Sequence, residues 1–193
     1  MTDTDSPTTR SYEGIEIPAP GTLDLDPSHT TVGFSARHMM VSKVRGRFES
    51  FTGTVTVAEE PLQSTVEVSI DVASINTADA KRDAHLTSPD FFDVERFPTI
   101  TFVSTRVLDH SGDRFRLEGD LTVRDVTRTV TLDATFEGVA TSPWGHQAAG
   151  FSARTELDRE DFGLTWNQTL ETGGVLVGKR INVEIEAELI RRG

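Results

Sequence analysis

His38, Asp83 and His85 are the residues whose types and placement permit acid–base chemistry. Asp83-x-His85 lies in a polar interruption of the chain. His38 ends an alternating segment whose rim that interruption can reach. A Ser-His-Asp device would need three placements that spacing does not supply. The histidines at 29, 38, 85, 110 and 146 form no pair at the helix or hairpin spacing of a metal site. HExxH, an EF-hand loop and a Walker loop are absent. The nearest approach to a nucleophile elbow, Gly150-Phe151-Ser152, continues as Ala153-Arg154 inside a strand pattern. Without cysteine, thiolate ligands and disulfides are excluded. No metal and no cofactor are expected.

The interruption runs from Ile75 to Asp93, INTADAKRDAHLTSPDFFD. Thr77 is placed to cap a helical turn or two through Leu86. Ser88-Pro89 reads as a second start, Ser at the cap and Pro at the first helical position, for a single turn carrying Phe91 and Phe92. Two large rings on one turn need burial. Arg82 and Asp83 fit two readings, a site pair or a pair that holds each other or the neighbouring backbone. His85 is either an orienting residue or one that meets a ligand.

Around the interruption the chain alternates apolar and polar residues with period two. Thr30 to His38 puts Val32, Phe34, Ala36 and His38 on one face. Val44 to Val57 slips in phase, Phe48 being even and Phe51, Val55 and Val57 odd, which predicts a bulge near Glu49-Ser50. Thr65 to Ser74 presents Val66, Val68, Ile70 and Val72. Further strands are predicted over Thr99–Val107, Arg114–Val123, Arg128–Val139, Gln147–Leu157 and Ile181–Leu189. A second irregular stretch, 158–178, carries Phe162 and Trp166. The fold class is therefore all-β: an eight-stranded antiparallel up-and-down (lipocalin-like) barrel with one short helical insert at about 77–93. A two-sheet sandwich is the alternative. Residues 21–193 form one domain. Residues 1–20, rich in Thr, Ser, Asp and Pro, read as a disordered or loosely draped leader, in which Arg10 should be indifferent to anything the barrel holds.

Charge narrows the partners. Nineteen basic against 31 acidic residues leave a net charge of −12, which disfavours nucleic acid. Eleven Phe against two Trp and one Tyr suit a dry interior. No apolar run reaches the ~20 residues of a transmembrane helix, and the first residues lack the basic and apolar regions of a secretory signal. A cytoplasmic protein that does not span the membrane is expected.

The run DPSHTTVGFSARHMMVSKVRGRFESFTGTV resembles the opening of the YceI-like family, through Asp26, His29, Val32, Phe34 and His38, then Gly46, Phe48, Phe51 and Gly53. The insert is similar to the family's central signature in Ser74-Ile75-x-Thr77, Arg82-Asp83-x-His85-Leu86, Ser88 and Asp90-Phe91-Phe92-Asp93. Phe97-Pro98-x-Ile100-x-Phe102-x-Ser104 continues it. Gly119-x-Leu121-Thr122, Val126-Thr127-Arg128, Trp144-Gly145, Gly150-Phe151, Asp158-Arg159-x-Asp161-Phe162-Gly163 and Trp166 follow in order. The resemblance spans about Thr22 to Arg191. Asp125 departs from the usual glycine of its turn, where Asp can take left-handed backbone.

That resemblance implies a lipocalin-like barrel without enzyme activity that binds a polyisoprenoid or isoprenoid quinone, with a homodimer among the partners. The tail would lie against Val32, Phe34, Phe48, Phe51, Ile70 and Phe102, with Phe91, Phe92, Leu117, Leu132, Phe151 and Trp166 completing the wall. The head group would meet His38, Arg82 and His85, with Arg159 and Asn167 behind them. Two other readings stay open: a small-molecule enzyme using His38, Asp83 and His85, and a solid-core acidic stress or interaction protein. Small residues at Gly46, Gly53, Gly119, Ala134 and Ala149 facing the lumen would mark a hollow barrel.

Overall fold

The computed structural model describes residues 8–143 and 145–191. Trp144, quoted in the Trp144-Gly145 motif, and the first seven residues of the expected leader lie outside the described residues. The strands are β1 Thr9–Tyr12, β2 Ile15–Pro18, β3 Gly21–Leu25, β4 Thr31–His38, β5 Ser42–Phe48, β6 Phe51–Val57 and β7 Thr65–Asp71. After β8 Ile75–Asn76 and helix α1 Ala80–Thr87 come β9 Thr99–Ser111, β10 Arg114–Val123, β11 Val126–Thr141, β12 Gln147–Asp158 and β13 Val177–Arg191.

Antiparallel pairing runs β13–β12–β11–β10–β9–β7–β6–β3 and returns from β3 to β13. β4 continues β3 along β13, and β5 continues β6 along β4. Each of those pairs fills one position, so the barrel closes with eight. Closure gives each stave a partner on both sides over part of its length.

The phase slip near Glu49-Ser50 is a break between two strands rather than a bulge. The Ser74 hydroxyl explains where it falls. It accepts hydrogen bonds from the Glu49 and Ser50 amides at 3.1 and 2.9 Å and donates to the Asp71 carbonyl at 2.7 Å. Two amides that leave the ladder are thereby satisfied.

Residues 9–18 do not drape loosely. They form the β1–β2 hairpin, turning at Glu13 and Gly14, both with positive φ (50° and 83°), the mirror-image turn that matches strand twist. Ile15-Glu16-Ile17 alternates across it. The Arg10 guanidinium donates to the Ala58 and Glu59 carbonyls, and Arg191 donates to the Pro20 and Ala19 carbonyls at 3.1 and 2.6 Å. Glu13 meets the His110 imidazole at 3.0 Å. The hairpin therefore sits across the barrel end that carries the β6–β7 and β9–β10 turns.

The other end carries α1 and residues 159–176. In the β10–β11 turn the left-handed residue is Arg124 (φ 56°), not Asp125. Its guanidinium lies over the Phe97 ring at 5.6 Å and donates to the Gly163 carbonyl. The β4–β5 turn is at the same end, since His38 pairs with Val177. There Met39 and Met40 hold φ of 50° and 61°, which costs an ordinary side chain roughly 1 kcal/mol or more.

Candidate functional site

The alternating residues point inward as the pattern predicts, but they do not fill the barrel. A cavity of about 780 Å³ runs through it. Val66, Val68 and Ile70 border it from β7, and Val130, Leu132, Ala134 and Phe136 from β11. Ile181, Val183, Ile185, Ala187 and Leu189 do so from β13. The hollow barrel expected of a lipid binder fits this cavity, and the solid-core alternative does not. Inward faces of eight staves around this axis hold more volume than their side chains occupy, and two of the rings rest over glycines of the wall. A Cβ on Gly46 would run into the Phe34 ring, and one on Gly119 into the Phe102 ring. Each glycine is a slot in which a ring rests. Of the small residues expected at the lumen, Ala134 borders it, whereas Gly46, Gly53 and Gly119 lie under larger side chains and Ala149 is sealed beside Leu23 and Leu189.

Val32, Phe34, Phe48, Ile70, Phe91, Phe92, Phe102, Leu117, Leu132, Phe151 and Trp166 all border the cavity. Phe51 does not. The phase break turns its ring into the buried cluster with Val72, Ile75 and Ile100. The hairpin adds Tyr12, Ile15, Ile17 and Pro18 to the lining, residues that a reading of 1–20 as leader omits. The signal was present in Glu13-Gly14 between short alternating segments.

At the helix end the lining becomes polar. α1 begins two residues later than Thr77 suggests, because the Asp79 carboxylate accepts from the Lys81 and Arg82 amides at 3.0 and 3.1 Å. Thr77 is buried instead, and both neighbours named with it reach back to it. The Asp83 carboxylate accepts from the Thr77 amide at 2.9 Å and hydroxyl at 2.6 Å. Arg82 donates from Nε to the Thr77 hydroxyl and from Nη2 to its carbonyl, both at 2.8 Å. Arg82 and Asp83 thus hold backbone, while Nη1 of Arg82 stays 3.9 Å from Asp79. Ser88 ends the helix by donating to the His85 carbonyl at 2.7 Å. Residues 88–97 continue as turns rather than a second helical turn.

His85 bonds Asp90, Nε2 to Oδ2 at 2.8 Å, and its ring faces Trp166 and Phe91 edge-on. With Asp83 committed to Thr77, His38, Asp83 and His85 are not one hydrogen-bonded constellation. His38 borders the cavity without a side-chain hydrogen bond among the described residues.

Arg159 is the buried charge of the site, 5 % exposed. It donates to the carbonyls of Gly178 (3.1 Å), Trp166 (3.0 Å), Leu164 and Val177. Burial pushes its pKa below the ordinary arginine value, and Glu160 and Asp158 oppose that shift from a distance. The guanidinium stays charged, 6.0 Å from the Phe91 centroid. Asn167 does not border the cavity. Its amide is used up on Val177, donating at 2.8 Å and accepting at 3.1 Å.

No helix among the described residues is long and apolar enough to cross a membrane. The YceI-like domain model matches residues 23–189. A UPF0312 protein of Staphylococcus aureus (strain MRSA252) is 38 % identical over 167 residues, 85 % of this chain and 94 % of that protein. The YceI protein of Campylobacter jejuni superposes with a TM-score of 0.70 at 28 % identity, covering 81 % of this chain and 90 % of that one. BcnA of Burkholderia cenocepacia gives 0.74 at 21 %, over 85 % and 98 % of the two chains. A polyisoprenoid binding domain from Saccharophagus degradans, implicated in plant cell wall breakdown, gives 0.66 at 11 %, over 90 % and 100 %, a likeness of fold. The match from 23 to 189, carried on one closed barrel with the Arg82-Asp83-x-His85 insert at its mouth, shows that the chain belongs to the YceI-like family.

Proposed function

We propose that this protein is a non-catalytic carrier of a long isoprenoid lipid, a polyisoprenoid or an isoprenoid quinone, held in the barrel. The observation that carries the reading is the apolar cavity of about 780 Å³, with Arg82, His85, His38 and Arg159 at its helix end. That size falls in the range of small-molecule sites. Each CH₂ taken from water contributes about 0.8 kcal/mol, so a chain of several isoprene units binds tightly without any specific contact. One methylene discriminates by only about 1–3 kcal/mol. Selectivity must therefore come from lumen length and from the mouth. The head group would meet Arg82, His85 and His38, with Arg159 behind as a fixed positive charge. The choice of isoprenoid follows the Saccharophagus degradans domain, whose fold this chain shares.

The test is organic extraction of the native purified protein followed by mass spectrometry, with titration of the delipidated protein by a long isoprenoid. Recovery of an isoprenoid with saturable binding supports the carrier. No extractable lipid together with no affinity sinks it. Cell fractionation and sedimentation equilibrium test the two remaining expectations, a cytoplasmic location and a homodimer.

A further inference from the structure

The β4–β5 turn beside the polar mouth is built in a way that stability alone does not explain. A turn with two residues at positive φ favours Asn and Gly, yet Met39 and Met40 occupy those positions. Their side chains and that of the next residue face solvent, at 42 %, 59 % and 81 % exposure for Met39, Met40 and Val41. An apolar tip on strained backbone, exposed on all three residues, points to a function of that surface.

Its flanks point to what the surface meets. In a chain with 31 acids, none occurs from Pro27 to Phe48. Arg37 and Lys43 stand directly opposite each other on β4 and β5, a like-charge pair that the sheet by itself disfavours. Arg45 follows on the same face. Glu184 borders the same surface hollow as Lys43 and Arg45, yet no carboxylate lies within ion-pair distance of Arg37, Lys43 or Arg45 among the described residues. Cations that repel each other and lack an internal partner suit an external anionic one. The tip is tied to the mouth: the Met39 amide donates to the Leu176 carbonyl at 2.8 Å, and His38 and Leu176 border the cavity.

We infer that the Met39–Val41 turn is a membrane-docking tip that seats the mouth on a bilayer carrying anionic phospholipids. The three apolar side chains enter the headgroup region and Arg37, Lys43 and Arg45 face the phosphates. This rests on the carrier reading and deepens it, since a lipid held in the lumen must enter and leave through some surface. A tip of three side chains gives weak, reversible contact, which suits loading rather than anchoring.

Sedimentation with vesicles of phosphatidylcholine alone, and of phosphatidylcholine mixed with phosphatidylglycerol, tests it on the full chain. Binding is expected with the mixture, weakening as salt rises. The double variant Met39→Asn/Met40→Gly keeps the turn on more favourable backbone, so it should melt no lower than the wild type while losing vesicle binding. Lys43→Glu/Arg45→Glu should lower the partition about tenfold or more. Wild-type levels of binding by either double variant would overturn the inference. So would the absence of any preference for the anionic vesicles, or a concentration-dependent dimer that the Met39→Asn/Met40→Gly variant abolishes. Isoprenoid titration of the same variants in detergent keeps the two proposals apart: retained lumen binding with lost vesicle binding supports docking, and failure of docking leaves the extraction result standing.

Discussion

The imidazole of His85 stands edge-on to the indole of Trp166, ring centroids 4.5 Å apart and planes at 88°. One ring belongs to α1 and the other to the loop before β13, so this contact joins the two irregular segments into one cover over the mouth. Trp166→Ala removes the indole from both His85 and Phe91. It should lower stability by about 2 kcal/mol and speed release of a bound isoprenoid in a stopped-flow transfer assay. Unchanged release would show that the two segments do not close the mouth together.

Arg159 sits behind that cover with four carbonyl partners. Arg159→Met takes the guanidinium donor from the Gly178, Leu164 and Trp166 carbonyls, Val177 keeping Asn167, and should cost on the order of 3 kcal/mol in denaturant unfolding. A loss below about 1 kcal/mol, inside the range of ordinary surface changes, would mean that water serves the carbonyls equally well.

The hairpin closes the opposite end, so Arg10 is not the indifferent residue that a draped leader would make it. Its two bonds to the Ala58 and Glu59 carbonyls hold β1–β2 against the β6–β7 turn. Arg10→Ala should raise ligand release about tenfold, the equivalent of one lost charge-assisted bond. Deleting residues 1–18 should do at least as much. Release at the wild-type rate from both proteins would remove the hairpin from the pathway.

Gly46 gives the Phe34 ring its place against the wall. Gly46→Ala puts a methyl group into that ring and 2.8 Å from Cγ2 of Thr77. Phe34 should swing into the lumen, costing about 1–3 kcal/mol of stability and weakening long isoprenoids more than short ones in a chain-length series. Equal losses across the series would place the effect outside the lumen.

On the outer wall His29 bonds Asp26 at 2.7 Å, with Glu188 at 3.7 Å. The hydrogen bond to Asp26 raises the His29 pKa above 6.5, with Glu188 adding to it. The bond to His29 lowers the Asp26 pKa below 3.8. For His29 the stabilisation is complete below pH 6.5 and is lost as pH rises through its raised value. For Asp26 it is complete above pH 3.8 and is lost as pH falls through its lowered value. The pair therefore contributes most between about pH 4 and about pH 6.5. Subtracting the pH profile of Tm for His29→Ala from that of the wild type should leave a maximum in that window. A flat difference would contradict the pairing.

What the sequence determined by itself was the inward face of nearly every stave. Side chains alternate across a strand whatever lies beyond it, so Val66-x-Val68-x-Ile70 needs no knowledge of its neighbours to declare its buried side. The same local logic marked the interruption at 75–93 and the break at Glu49-Ser50, although it took the break for a bulge. It could not say that Asp79 rather than Thr77 caps α1, because Thr77 is claimed by Arg82 and Asp83 through contacts made only once the insert folds back. Nor could it separate Arg159, which lines the mouth, from Asn167, whose amide is spent on Val177. The hairpin at 9–18 was within reach, but its place over the lumen depends on carbonyls of the β6–β7 turn and on Arg191 at the far end of the chain. Whether the barrel is hollow was decided only by the tertiary structure. Cavity volume is what remains after every inward side chain has packed, and rings resting over Gly46 and Gly119 are part of that packing.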